Sequence, residues 1–136
     1  MDGKYKLLYD PIHGYMKFTM KCIKIIDTPE FQRLRKIKQL GNCYRVFSGA
    51  SHNRFEHSLG VGWLASELLT QIKYKQPELG ITSEMIERMM IAGMCHDLGH
   101  GPFSHLFDHY CLTGCNSPLC EHEARSGEIL RYLVDK

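Results

Sequence analysis

Ten consecutive residues, His96-Asp97-Leu98-Gly99-His100-Gly101-Pro102-Phe103-Ser104-His105, bring together three imidazoles and a carboxylate, and His57 can join them from elsewhere in the chain. Imidazole and carboxylate together hold a divalent cation firmly while leaving coordination positions for water. On a regular helix His96 and Asp97 would point roughly 100° apart, so both reach one ion only near a helix end or where the ion lies between helices. Gly99, Gly101 and Pro102 supply such an end. The alternative is that His96 caps its own helix and Asp97 pairs with Arg54 or Lys38, because a buried carboxylate needs a partner of some kind.

The elements that must position these groups are mostly helical. Thr28-Pro29-Glu30 combines an N-cap, a proline at the first helical position and an acid near the positive helix end, and predicts a helix running through Phe31 to Lys38 that stops at Gly41. Tyr44 to Phe47 reads as a short strand or extended link. From about Arg54 to Tyr74, Phe55, Leu59, Leu64, Leu68, Leu69 and Ile72 mark one face of a long amphipathic helix. Lys75 to Gly80 breaks it. Thr82 or Ser83 caps the next helix, Glu84 to about Asp97, which turns almost wholly apolar near the motif and is expected to be the buried central helix. Ser104 caps a short helix through about Leu112, and Glu121 to Val134 forms the last, with Ile129, Leu130, Leu133 and Val134 on one side. With nothing after it to cover that stripe, an exposed apolar patch is expected.

The 136 residues, 43% apolar and 24% charged, suit one compact globular domain and exclude disordered and fibrous classes. A formal charge of +2 spread along the chain forms no basic block, so at most weak nucleic-acid binding is expected. The longest strongly apolar run, Met89 to Cys95, is far shorter than a membrane span, and the first residues lack a signal peptide's apolar core, which predicts a cytoplasmic or nuclear protein with no membrane partner. Of six cysteines, Cys22, Cys43 and Cys95 read as core, and a disulfide framework is not expected. Cys111, Cys115 and Cys120 beside His122 either close a structural zinc site of an interaction module or are loop thiols.

Arg54-x-x-His57, the run from His96 to His105 continued by Phe107-Asp108, and His122-Glu123 resemble the HD-domain phosphohydrolases. Within them, the chain is most similar to the deoxynucleoside triphosphate triphosphohydrolases that carry a sterile-alpha-motif domain ahead of the HD domain. Asp10-Pro11-Ile12-His13-Gly14, Ile26-Asp27-Thr28-Pro29, Phe31-Gln32-Arg33-Leu34-Arg35 and Ser51 to Gly60 carry the same resemblance, which lapses only from about Tyr110 to Cys120.

The resemblance implies a helical HD fold with a short strand or hairpin near the N-terminus. It also implies metal-dependent hydrolysis of a deoxynucleoside triphosphate to deoxynucleoside and triphosphate, by attack at the α-phosphorus. His57, His96 and Asp97 become ligands of a divalent metal, zinc, iron or manganese, with magnesium accompanying the nucleotide. Arg54 becomes a fork on triphosphate oxygens, with a salt bridge to Glu56 or Glu67 as its plainer role. His100, His105, Asp108 and His122 take the proton chemistry. His105, at the start of the Ser104-capped helix, is the first candidate to protonate the leaving 5′ oxygen and contact phosphate.

Gln39 and Leu40 match positions lining the sugar. Lys6, Asp27, Gln32 and Arg35 match an activating site for GTP or dGTP that drives homo-oligomer assembly; from residue types alone they read equally as helix-surface charge. The family completes its metal site with a later aspartate that this chain lacks, and Asp135 is no convincing substitute. Residues 1–136 are therefore expected to be the N-terminal portion of a single HD domain, either an enzyme or a catalytically incomplete nucleotide-binding module.

Overall fold

A computed structural model describes residues 5–136. An antiparallel hairpin opens the chain, β1 (Tyr5–Asp10) against β2 (Gly14–Thr19), with Leu8 opposite Met16 and Asp10 opposite Gly14. The turn is set by Asp10, whose Oδ1 accepts from the amides of Ile12 (2.8 Å) and His13 (3.0 Å), and by Gly14 at φ 70°. Met16 and Phe18 alternate inward and are fully buried. Thr19 then caps α1 (Met20–Ile26), and Thr28 caps α2 (Pro29–Gln32) with Pro29 in its first turn.

The helix expected through Lys38 is much shorter. After Gln32 the chain tightens into a 3-10 turn, Arg33–Lys36, and extends at Ile37. The cause is competition for backbone groups: the Arg54 amide donates to the Ile37 carbonyl (2.9 Å) and the Gln39 amide to the His52 carbonyl (3.2 Å), around a bridge between Lys38 and Asn53. Gly41, at φ 55°, turns the chain as expected. No strand follows. Cys43–Arg45 is a 3-10 turn, and with no edge to pair against, Val46 and Phe47 stay exposed. Cys43 is exposed too, contrary to its reading as core.

The long helix α3 (Arg54–Lys75) begins at a capping box, with the Asn53 side chain accepting from backbone amides and Glu56 accepting from the Asn53 amide (2.9 Å). Asn53→Ala is expected to cost about 1 kcal/mol, read in a thermal melt. Its buried stripe is Phe55, Leu59, Gly62 and Ser66, while Leu64 and Leu68 face outward, opposite to expectation. Small residues sit there because α4 (Ser83–Cys95) crosses at near backbone contact. A Cβ on Gly62 would fall 2.4 Å from Met94 Cγ, and one on Gly93 would lie 3.0 Å from Gly62 Cα.

Thr82 caps α4, but only its C-terminal end is buried, through Met90, Met94 and Cys95. Its first half lies along the surface, so it is not a central helix throughout. Helix α4 stops at Cys95, two residues short of the expected end, because His96 is its C-cap and the chain turns from there. The short segment after the glycines is a π-helical turn, Phe107–Cys111, that Ser104 does not cap. Phe103 and Ser104 adopt left-handed φ of 64° and 56°, and the Ser104 hydroxyl instead donates to the Lys38 carbonyl (2.9 Å) and accepts from Arg54 Nε (3.1 Å).

Cys115 and Cys120, whose Cα atoms lie 6.1 Å apart, are joined by a disulfide, contrary to the expectation of free thiols. The final helix α5 (His122–Asp135) packs Ile129, Leu130 and Leu133 against the core, so the expected patch shrinks to the exposed Val134. Among the described residues no helix is long and apolar enough to cross a membrane.

Candidate functional site

Capping and helix crossing together place the metal-ligating groups. His57 lies one turn into α3, His96 ends α4, and Asp97 follows in the turn, which removes the 100° problem. One ligand atom from each of His57, His96 and Asp97 lies within 4.8 Å of the others. His57 Nε2 is 3.4 Å from Asp97 Oδ2, and His96 Nε2 is 3.2 Å from Asp97 Oδ1. His96 Nδ1 lies 2.7 Å from the Gly93 carbonyl, which can only accept, so the proton is assigned to Nδ1 and the Nε2 lone pair faces the cluster. Three ligands with one tautomer already fixed fit a divalent cation, and these three residues would hold it.

Asp97 is buried against Arg54, whose Nη1 donates to Oδ2 at 2.7 Å with both side chains almost fully enclosed. The pairing of Asp97 with Arg54 is therefore formed, and Asp97 also faces the imidazoles of His57, His96 and His100. This corrects the plainer role expected for Arg54, a surface salt bridge to Glu56 or Glu67. Burial would push the Asp97 carboxyl up, but the His100 imidazole and the Arg54 guanidinium beside it hold it well below the usual carboxylate range.

Beside this cluster stands a second one. His100, His105, Asp108 and His122 also offer ligand atoms within 4.8 Å of one another. His122 Nδ1 is 3.0 Å from Asp108 Oδ2, the His100 and His122 rings stack at 3.8 Å, and His105 meets them edge-on at 4.9 and 5.2 Å. His100 is fully buried, and its Nε2 stands 3.4 Å from Asp97 Oδ1, too far for a well-formed hydrogen bond. Burial pushes the Asp108 carboxyl up, but its contacts with Arg125 and His122 outweigh this and hold it low.

Burial also lowers the pKa of His57 and His100 from 6.5, against the opposing pull of Asp97. The unfolded chain thus takes up protons at these sites before the folded one does. Stability of the metal-free chain is expected to be insensitive to these two groups above pH 6.5 and to fall as pH drops below it, as urea midpoints measured with chelator across that range would record.

Three residues that sequence reasoning passed over hold the turn. Arg125 donates through Nε to the Gly99 carbonyl (2.8 Å), through Nη1 to the Leu119 and Cys120 carbonyls (2.8 Å each), and through Nη2 to Asp108. Arg33 reaches from the 3-10 turn to the carbonyls of His100 (2.9 Å) and Leu98. Ser126 accepts from the Gly99 amide (2.8 Å) and sits 2.7 Å from the His96 carbonyl. No residue-type signal marks them, because each acts on backbone.

Gln39 lines a cleft of about 650 Å³ with His57, His52, Glu56 and His13; Leu40 is half-exposed and does not line it. A larger groove, about 840 Å³ between the hairpin, α3 and α4, contains no predicted site residue, so chemistry and not volume marks the site. Gln32 donates to the Ile26 carbonyl (2.7 Å) and accepts from Arg35 Nε (2.8 Å), next to exposed Asp27, and Arg35 stacks on Phe55 at 3.5 Å. Among the described residues no hydrogen bond joins Lys6, on β1, to that group.

The zinc site of Cys111, Cys115, Cys120 and His122 is not formed. Two of its thiols are bonded to each other, Cys111 is exposed, and His122 belongs to Asp108. Burial pushes the Cys95 thiol up to about 12, which makes it an inert core residue as expected.

Nearly the whole chain is similar in sequence to known proteins. The deoxynucleoside triphosphate triphosphohydrolase SAMHD1 of Bos taurus is 63% identical over 131 residues, covering 96% of this chain and 22% of that protein. The Homo sapiens protein of the same name is 61% identical over 136 residues, with 96% and 21% coverage. The SAMHD1 homolog of Dictyostelium discoideum is 46% identical over 130 residues, with 96% and 25% coverage. The chain thus spans about a fifth to a quarter of the length of these relatives. Residues 54–134, which contain both imidazole clusters, match the HD domain, and the chain belongs to that family.

Proposed function

We propose that this chain hydrolyses deoxynucleoside triphosphates to deoxynucleoside and inorganic triphosphate at a divalent metal held by His57, His96 and Asp97. The observation that carries the reading is adjacency: Asp97 Oδ1 lies 3.2 Å from His96 Nε2 and 3.4 Å from His100 Nε2, so the metal ligands abut the proton-carrying groups. The names of the relatives support the substrate class. When bound, the metal activates water at neutral pH and offsets charge developing on phosphate.

The chain's residues do the rest. Arg54 holds Asp97 in register and, with Nη2 engaged by no hydrogen bond among the described residues, offers a donor to phosphate. His105, exposed at the mouth of its cluster, delivers the proton to the leaving 5′ oxygen, and His100 and the Asp108–His122 pair orient and recharge it. Gln39 lines the sugar side, with Leu40 beyond it. Lys6, Asp27, Gln32 and Arg35 bind guanine nucleotide and couple it to homo-oligomer assembly, a role supported by the linked Gln32 and Arg35 beside Asp27. Ion chromatography of dGTP digests, with manganese and magnesium present, is expected to register triphosphate from the chain and none from His96→Ala; pyrophosphate as the product would overturn the reaction.

A second reading has its own support. Among the described residues the metal cluster contains three ligands, Asp135 is not one of them, and one oxygen of Asp97 is shared with Arg54. A nucleotide-binding assembly module would bind GTP and oligomerise without turnover, and sedimentation in the presence of GTP separates it from the enzyme.

A further inference from the structure

The stretch where the family resemblance lapses, about Tyr110 to Cys120, is tied to the proton-transfer groups through one side chain. Arg125 donates from Nη1 to the Leu119 and Cys120 carbonyls (2.8 Å each) and from Nη2 to Asp108 Oδ1, while Asp108 Oδ2 lies 3.0 Å from His122 Nδ1. Asp108 is almost enclosed and, among the described residues, its side chain hydrogen-bonds only to Arg125 and His122. A guanidinium is a rigid planar fork, so where one arm is held decides where the other points.

The held arm depends on the Cys115–Cys120 disulfide. Among the described residues, the hydrogen bonds that join the 3-10 turn Pro118–Cys120 to α5 are those of Arg125, and the disulfide fastens the end of that turn back to Cys115. With the bond open, the exposed loop gains conformational freedom, and the Leu119 and Cys120 carbonyls lose their fixed place against Arg125. Cys115 is exposed, so a thiol reaches the bond.

We infer that Arg125 is a positioning residue for hydrolysis whose grip on Asp108 is set by the Cys115–Cys120 disulfide, so that a dithiol reductant slows turnover by releasing His122. One thiolate of the reductant attacks a disulfide sulfur and forms a mixed disulfide, and its second thiolate then displaces the remaining cysteine thiolate. The reductant ends as its own disulfide, and its two electrons and two protons pass to Cys115 and Cys120 as thiols. His57, His96 and Asp97 make no hydrogen bond to Arg125 or to this loop among the described residues, so the metal ligands stay in place. The inference rests on the proton-transfer role proposed for Asp108 and His122.

Steady-state hydrolysis of dGTP by the chain, before and after treatment with dithiothreitol and its anaerobic removal, tests it, with free thiols counted by alkylation and mass spectrometry. Reduction is expected to lower kcat about tenfold with KM unchanged, a part of the hundredfold or more that positioned proton transfer supplies. Cys115→Ser with Cys120→Ser should match the reduced chain and ignore reductant. Arg125→Gln should fall as far and lose no more on reduction, because both changes act through one contact. Cys111→Ser should keep both the parent rate and its sensitivity, and melts establish that each variant is folded. Equal kcat in the oxidised and reduced chain, or losses that multiply when Arg125→Gln is reduced, overturns the inference. Histidine ring resonances give a readout independent of turnover: reduction should move those of His122 and leave those of His57. That shift in a chain that never cleaves dGTP upholds the link from the disulfide to His122 and removes the proposed hydrolysis; unmoved His122 resonances overturn the link itself.

Discussion

Asp97→Ala is expected to abolish metal retention by the His57 cluster and to destabilise the chain by about 3–5 kcal/mol, the cost of leaving the Arg54 guanidinium buried without its partner. The size of the effect follows from enclosure: Arg54 is 3% exposed and its Nη1 has the Asp97 oxygen at 2.7 Å. An exposed pair such as Arg88 with Glu84 would register under 1 kcal/mol. Replacing both partners, Arg54→Met with Asp97→Leu, is expected to recover most of the stability and none of the metal, because an apolar pair of similar volume needs no compensation. Urea unfolding beside metal analysis separates the two losses. Asp97→Ala within 1 kcal/mol of the parent would mean that Arg54 reaches solvent when its partner is gone.

The second large effect is expected at Gly99. A Cβ there would fall 2.2 Å from the His122 carbonyl oxygen, 2.6 Å from the Ser126 nitrogen and 2.7 Å from Arg125 Cβ, all parts of α5 that cannot swing aside as a side-chain tip can. Gly99→Ala must therefore push α5 off the turn, at a cost of about 1–3 kcal/mol. It also breaks the Gly99 bonds to Ser126 and Arg125 and withdraws His122 from His100. The cluster of His57, His96 and Asp97 should keep its ion, so hydrolysis is expected to fail while that ion is retained. Gly127→Ala, where the new methyl meets nothing, is the contrasting variant, expected to gain up to about 1 kcal/mol from helix propensity. Equal activity in Gly99→Ala and the parent would remove α5 from the chemistry.

Much of the fold is legible in single residues because their effects are local. Thr28 with Pro29, and Thr82, act within one turn of where they stand, and each starts a helix where expected; the Asn53–Glu56 capping box, which the sequence reading did not name, does the same for α3. What is not legible depends on partners distant in sequence. The face that α3 buries is chosen by the close approach of Gly93 to Gly62, so small residues go inside and Leu64 and Leu68 outside. The helix after Thr28 ends early because residues 52–54 take its backbone groups. Ser104 reads as a cap and instead joins Arg54 to Lys38.

The site divides the same way. Ligand types are plain in the sequence, and the structure gathers His57, His96 and Asp97 as one group and His100, His105, Asp108 and His122 as another. The guanidinium supports are not plain, since Arg33 and Arg125 grip carbonyl oxygens, which every residue has. The cysteines mislead for a related reason. The spacing of Cys115 and Cys120 allows a metal, a disulfide or neither, and the loop that joins the π-helical turn to α5 decides it.

The central claim is that water attacks the α-phosphorus of a deoxynucleoside triphosphate beside His96 and Asp97, with the proton delivered to the 5′ oxygen from the His105 cluster. Single-turnover hydrolysis of dGTP in water enriched with heavy oxygen, analysed by mass spectrometry of both products, tests it most directly. One heavy oxygen is predicted in the inorganic triphosphate and none in the deoxynucleoside. Label in the deoxynucleoside would place the attack at carbon, and label in pyrophosphate or nucleoside monophosphate would place it at another bond; either result contradicts the account.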